Sequence, residues 1–360
     1  SKGIWDGGQP EVVGVPIGEV IVSDFRKPDS APPESRYLKF KILRKEKKDE
    51  TKPAINIDQI VIIGKSISLS SDAVHLANDN NIDILFLSYS GKPIARLIPA
   101  RMGGTVKTRR EQYLAYHDER SVHLAKRFVY GKMKNEASLL KSFAKKWKES
   151  KTDLWREFRE SADKITSILE ELNTIHGNKI EEVRERIMGI EGMGAEIYWS
   201  TYSRLIPEEW NFEGRDYPAA GDPINAMLNF GYYILEQEVW KAVLYAGLDP
   251  YAGFLHADKP GKEKIVYDLM EEFRPVVVDR VVVGLSNRMK PTHFVKRERM
   301  EMTEDGIKIA LKEFFGRLDE AIGYSGRRYA IKNIIRSQAG RVVTYLRGER
   351  EEYEPFTPRW

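Results

Sequence analysis

Five residues in this chain have the types and spacing to do metal chemistry. His256 stands after an apolar turn, in GFLHADKPGK. Asp268, Glu271 and Glu272 follow it in YDLMEEFRP. A second stretch, GIEGMGAEIYW over residues 189–199, sets Glu191 among glycines. One histidine with carboxylates from separate segments is a ligand set for a hard or borderline divalent cation. On a helix starting near Lys264, Asp268 and Glu271 share a face and Glu272 points about one residue step away. Plainer readings stand beside this one. A lone histidine is usually structural, and two adjacent glutamates are usually a solvated helix face. With no cysteine in the chain, a disulfide framework, a thiolate zinc site and a cysteine nucleophile are excluded.

The elements that position these residues read as two domains of an α+β protein. Residues 1–98 form a small β-rich domain. Glu11 to Phe25 holds one or two strands, 27–35 is a loop, Tyr37 to Leu43 is a strand, and 44–52 is a charged, exposed turn. Ile55 to Ser70 reads as two strands around Gly64. Ser70 can cap a short helix through Asn78. Ile82 to Tyr89 is a buried strand, and Ile94 to Ile98 another. Residues 99–110, with Gly103-Gly104 and no apolar period, form the linker. From 111 to 360 the pattern is helical almost throughout. Helices are expected over 111–130, 137–147, 154–172, 224–246 and 306–322, with Asp222 as the cap of the fourth. Pro275 is expected to stop the segment carrying Asp268 and Glu271. Residues 289–304 read as a loop or arm, and the tail 351–360 as extended. Glycines 189, 192 and 194 weaken their helix, which suggests close backbone approach there. Asn225 is expected to be a buried hydrogen-bonder that orients the site, and Tyr232 a core residue.

Charge points to a polyanionic partner. The net charge is only +4, but residues 101–151 carry 14 Lys or Arg against 5 Asp or Glu, and residues 326–348 carry six Arg or Lys and no acid. Basic stripes of this kind suit phosphate-backbone binding, because each neutralised phosphate releases counterions. Arg204 and Arg215 are candidate phosphate contacts in an irregular stretch, and Lys259, Lys262 and Lys264 follow His256. The apolar runs are too short to cross a bilayer and no signal peptide is recognised, so a cytoplasmic protein without membrane association is expected.

An ordered series of motifs is similar to a known family. Glu191-Gly192 with Tyr198-Trp199, Asp222-Pro223-Ile224-Asn225, Gly247-Leu248-Asp249-Pro250, Gly253-Phe254-Leu255-His256 and Asp268-Leu269-Met270-Glu271-Glu272-Phe273-Arg274-Pro275 together resemble the CRISPR-associated integrase of spacer acquisition, the "Cas-one" family. The resemblance runs from about Ile55 onward and leaves the first fifty or so residues outside. It implies an N-terminal β-sandwich-like dimerisation domain, a helical catalytic domain, and Mg²⁺ or Mn²⁺ held by Glu191, His256 and Glu271. Asp268 would be a supporting or alternate carboxylate, and the family varies between Asp and Glu here. Lys259, Lys262 and Arg274 would screen the phosphate. The implied reaction is attack of a protospacer 3′-hydroxyl on a CRISPR repeat, with hydrolysis when water attacks instead. The implied partners are DNA, a second copy of the chain and the small second acquisition protein. Two other classes compete: a non-catalytic DNA-binding scaffold on the same basic stripes, and a helical phosphohydrolase acting on a small molecule.

Overall fold

The computed structural model describes residues 11–15, 20–25, 37–42, 49–54, 57–63, 68–88, 93–100, 106–217 and 220–358. The chain divides into two compact units, Ser1–Arg101 and Met102–Trp360. The first is built on two four-stranded sheets and the second is mainly helical, so the chain is α+β.

In the first unit β1 (Glu11–Val15), β2 (Val20–Phe25), β3 (Tyr37–Ile42), β4 (Asp49–Pro53), β5 (Ile57–Ile63) and β6 (Ser68–Leu69) precede α1 (Ser71–Asp79), β7 (Asp83–Leu87) and β8 (Pro93–Leu97). One sheet runs β1-β5-β7-β8 and the other β4-β3-β2-β6. The stretch 11–25 is therefore two strands. The expected loop at 27–35 lies outside the described residues. The charge run 44–52 is not only a turn, because Asp49–Pro53 pairs antiparallel with β3. Nor do β5 and β6 form a hairpin, since they belong to different sheets.

β5 and β7 pair in parallel, Ile60 opposite Ile84. Ile60, Ile62 and Ile84 pack on Ala73, Leu76 and Ala77 of α1. Val61, Ile63, Leu85 and Leu87, on the opposite face, are equally buried. A strand covered on both faces reads as a continuous apolar run, as these do. Ser70 caps α1 as expected, its hydroxyl accepting the Ala73 N–H at 3.2 Å.

The second unit opens with α2 (Val106–Ala115), which starts inside the stretch expected to be linker. It continues with α3 (Glu119–Ala144), α4 (Thr152–Glu170), α5 (Arg184–Ser203), α6 (Pro223–Tyr245), α7 (Lys264–Met270) and α8 (Arg280–Ser286). The single helix expected over 111–130 is two. Asp118 has an extended backbone there, and its carboxylate accepts the Arg120 N–H at 3.0 Å, starting α3 afresh. α4 buries Phe158, Ala162, Ile165 and Leu169, spaced four, three and four, as an amphipathic helix must. α6 is buried on nearly all sides and forms the centre of the unit. Asp222 caps it, accepting the Asn225 N–H at 2.9 Å, with Pro223 at its first position where no N–H is required.

Pro275 does not end the segment after α7. The chain passes through a turn into a wide π-helical stretch, Arg274–Asp279, and on into α8. Pro275 lies in the first turn of that stretch, where its missing N–H costs nothing. The expected arm at 289–304 contains an antiparallel hairpin, β9 (Phe294–Lys296) with β10 (Met300–Met302). α9 (Glu304–Asp319) ends before Ile322, and β11 (Ala321–Tyr324) and β12 (Arg327–Ala330) form a hairpin before α10 (Ile331–Leu346). The tail has no regular structure through Pro358. It is nonetheless anchored, because Tyr353 and Phe356 are buried.

Candidate metal centre

α3, α5, the loop after α6, and the turn after α7 bring the carboxylates and the histidine together. Glu191 projects from the middle of α5, and Glu271 caps α7. The ammonium of Lys132, on α3, pairs with Glu191 Oε1 and lies 2.8 Å from Glu271 Oε2. Arg274 Nε sits 3.0 Å from the other oxygen of Glu271. Two carboxylates from separate elements thus converge on one cation. Burial alone would raise the Glu271 pKa. The charges of Arg274, Lys132 and His256 outweigh it and hold the group down at about 2.

His256 is fixed by Asp268. The Asp268 side chain is fully buried, and both its oxygens are occupied. Oδ2 accepts the backbone N–H groups of Phe254 at 2.6 Å and Leu255 at 3.0 Å. Oδ1 accepts the His256 N–H at 3.2 Å and lies 2.7 Å from His256 Nδ1. The loop therefore wraps around a carboxylate, and the imidazole is left with Nε2 to offer. Burial lowers the His256 pKa, but the Asp268 hydrogen bond and charge, with Glu271 behind them, raise it overall.

Three further contacts hold the loop. Arg184 donates to the Leu255 carbonyl at 3.1 Å. Gln112 donates to the carbonyls of Asp249 and Ala252 and accepts the Asp249 N–H. Gly253 approaches α7 so closely that a Cβ there would lie 2.7 Å from the Lys264 carbonyl carbon.

The remaining expected residues divide. Glu272 is not on a solvated face. It is wholly buried, and its carboxylate accepts from Tyr353 Oη, the Phe356 N–H and Gln338 Nε2. Burial raises its pKa to about 7 against those donors. Arg274 is an internal counter-ion, bound to Glu271 and stacked 4.6 Å above the Tyr232 ring. Arg215 is likewise engaged. It donates to Asn225 Oδ1 at 2.8 Å and Asn229 Oδ1 at 2.6 Å, and stacks on Tyr232 from 5.3 Å. Asn225 is the buried hydrogen-bonder expected, joining Asp216 N–H, the Gly214 carbonyl and Asp222. Arg204 is not brought to the centre. It ends α5, thirteen residues and thus about 20 Å beyond Glu191, and lies 3.8 Å from Glu157 of α4. Lys264 starts α7 and is buried. Lys259 and Lys262 are exposed and line a groove of about 740 Å³ together with Tyr113, Tyr116, Asp249 and Tyr251. Of the three helix glycines only Gly194 meets a neighbour, Met133; Gly189 and Gly192 face open space.

Several cations of the basic stripes are spent inside the unit. Lys126 and Arg127 donate to the carbonyls of Ile175 and Tyr353, Lys141 pairs with Asp163, and Lys332 with Asp319.

Sequence reasoning missed Lys132, Glu136 and Asp279. Glu136, one turn beyond Lys132, is 2% exposed, and its Oε2 has no hydrogen-bond partner. Burial raises its pKa to about 8, with Lys132 pulling the other way. Asp279 accepts Tyr198 Oη and Tyr232 Oη, each at 2.7 Å, and burial lifts its pKa to about 6. Its signal was present in VVVDRVVV, an acid inside an apolar run.

The donor set fits a divalent cation in chemistry: one imidazole with a free Nε2, an ionised buried Glu271, and Glu191. Among the described residues, no three His, Asp or Glu side chains stand close enough together to hold an ion, and the Lys132 ammonium lies between the two glutamates.

A family profile described as "CRISPR associated protein Cas1" matches residues 34–315. A CRISPR-associated endonuclease Cas1 of Archaeoglobus fulgidus is 43% identical over 331 residues, covering 89% of this chain and 93% of that one. One from Korarchaeum cryptofilum is 36% identical, covering 88% and 92%. Among solved structures, a casposase bound to its integration product superposes with a TM-score of 0.78 at 25% identity, over 96% of this chain and 92% of that one. A matched profile over most of the length, together with relatives of this identity and coverage, shows that the chain belongs to the Cas1 family of CRISPR-associated proteins.

Proposed function

We propose that this chain is a divalent-metal-dependent DNA integrase and endonuclease that inserts spacers into a CRISPR array. The observation that carries the reading is the convergence of Glu191 and Glu271 on one cationic position, beside a histidine whose Nδ1 is held by Asp268. Family membership, the endonuclease names of the relatives and the integration product in the casposase structure support it.

Glu191, His256 Nε2 and Glu271 would hold Mg²⁺ or Mn²⁺, for which the two carboxylates are the suited donors and the imidazole an additional one. Such an ion would polarise the scissile phosphodiester and stabilise charge developing on it. The chain's own residues do the rest. Asp268 fixes the imidazole's orientation and supports the basicity of Nε2. Arg274 and Lys132 keep Glu271 ionised. Lys259 and Lys262 offer exposed cations to the DNA backbone, where recognition rests on phosphate and shape rather than bases. In strand transfer the 3′-hydroxyl oxygen bonds to phosphorus, the bond from phosphorus to the repeat's 3′-oxygen breaks, and the hydroxyl proton ends on that leaving oxygen. With water as nucleophile the same exchange is hydrolysis. The protein works as a homodimer with the small second acquisition protein. Among the described residues no helix is long and apolar enough to cross a membrane.

The test is strand transfer of a short duplex with free 3′-hydroxyls into a supercoiled repeat-bearing plasmid, with Mn²⁺ and the partner protein. His256→Ala is expected to abolish joining while its melting temperature stays near wild type. Equal joining by both proteins would overturn the assignment. Salt-sensitive DNA binding without joining in either would favour the scaffold.

A further inference from the structure

Lys132 and Glu136 lie four residues apart on α3, so their side chains sit one above the other on the same face. Lys132 occupies the position between Glu191 and Glu271. Glu136 is almost wholly buried, and its Oε2 has no hydrogen-bond partner. Natural structures rarely leave such an oxygen unused, and nothing in the reaction above employs it.

We propose that Lys132 is a built-in place-holder for the divalent ion and that Glu136 is its landing site. Without metal, the ammonium holds Glu191 and Glu271 together against their mutual repulsion. When the ion enters, it takes both carboxylates, and the ammonium turns onto the free oxygen of Glu136. The two glutamates face a cation in either state, and the displaced ammonium faces Glu136 rather than being left buried without a counter-charge. A lysine suits this duty. Its ammonium is a compact charge on a flexible four-carbon stem, whereas Arg274 is pinned between Glu271 and the Tyr232 ring and cannot leave. The proposal makes Lys132 and Glu136 positioning residues and rests on the reading that Glu191, His256 and Glu271 hold the ion.

The test is Mn²⁺ binding to the full chain without DNA, read by calorimetry and by electron paramagnetic resonance of free Mn²⁺. Lys132→Met removes the competing cation and is expected to bind Mn²⁺ about tenfold more tightly, equivalent to about 1.4 kcal/mol. Its melting temperature without metal should fall, and Mn²⁺ should raise it by more than in wild type. Glu136→Gln removes the landing site and is expected to weaken binding about tenfold. In the double variant the effect of Glu136→Gln should vanish, because no ammonium remains to be received. A Lys132→Met protein that binds Mn²⁺ no better than wild type would overturn the proposal. So would a Glu136→Gln effect of equal size with and without Lys132. If Lys132→Met does not fold, Glu136→Gln alone decides, since unchanged Mn²⁺ affinity there removes the landing site. His256→Ala separates the two readings. Mn²⁺ affinity insensitive to His256 defeats the metal centre itself, whereas His256-dependent affinity without coupling to Lys132 and Glu136 defeats only the exchange.

Discussion

His256 Nδ1 and Asp268 Oδ1 lie 2.7 Å apart, and the same carboxylate accepts the N–H groups of Phe254, Leu255 and His256. Asp268 therefore builds the loop and orients the ring, and it has no oxygen to spare for an ion. Asp268→Asn places an NH₂ group against those donors. It is expected to lower Mn²⁺ affinity and strand transfer by about 10–100-fold, as loss of an orienting partner typically does. Mn²⁺ titration beside a strand-transfer assay checks this. Undiminished Mn²⁺ affinity would show that ring orientation does not depend on this pair.

Gly253 is required by the approach of the histidine loop to α7. A Cβ there would lie 2.5 Å from Lys264 Cβ and 2.9 Å from Asp268 Oδ2. Gly253→Ala forces loop and helix apart and should cost about 1–3 kcal/mol of stability. Urea denaturation measures it. The same variant should lose joining activity, because His256 is three residues away.

The tail holds Glu272 in place through Tyr353 and Phe356. Tyr353→Phe keeps the ring and removes one donor to a buried carboxylate, at an expected cost of about 1–3 kcal/mol. Deleting residues from 351 onward should destabilise the unit further. Thermal melting of both proteins distinguishes an anchored tail from a dispensable one.

Asp279 gives a pH signature. Burial raises its pKa to about 6, above the ordinary 3.8, although Tyr198, Tyr232, Arg274 and Lys132 favour the charged form. The folded state thus binds the proton more tightly than the unfolded chain. The stabilisation is complete below the unfolded value and is lost as pH rises through about 6. Between pH 4 and 6 wild type should lose up to about 3 kcal/mol relative to Asp279→Asn, and the difference should be flat above. Denaturant midpoints across that range provide the check, and a pH-independent difference would refute it.

Lys259 and Lys262 are exposed on the groove beside the centre. If each meets a phosphate, Lys259→Ala and Lys262→Ala should each reduce the log–log salt slope of DNA affinity by about 1. Arg204→Ala, remote from the centre, serves as the comparison.

Much of this protein was legible from residue types in order. His256, Glu191 and Glu271 stood out as members of an ordered series of motifs rather than singly, and the structure sets Glu191 and Glu271 on one ammonium, with the His256 charge acting on Glu271. The Asp222 and Ser70 caps followed from local chemistry, since a cap needs only an oxygen and the next turn of backbone. The buried strand segments at 60–63 and 84–87 were visible as unbroken apolar runs.

What the sequence determined by itself was this local layer: element types, caps and the inventory of donors. Tertiary structure decided which charges are buried and whom they face. Lys132 and Glu136 went unremarked in the sequence, inside a basic stretch, and only the packing of α3 turns them toward the centre. Arg274 and Arg215 read as phosphate contacts, and only the tertiary structure shows that each also engages Tyr232 and partners within the protein. Glu272 read as solvated until residues eighty positions downstream covered it. The physical reason is the same in each case. Secondary structure is set by neighbours within a turn or two, whereas the cost of a charge depends on the medium around it, which distant segments supply.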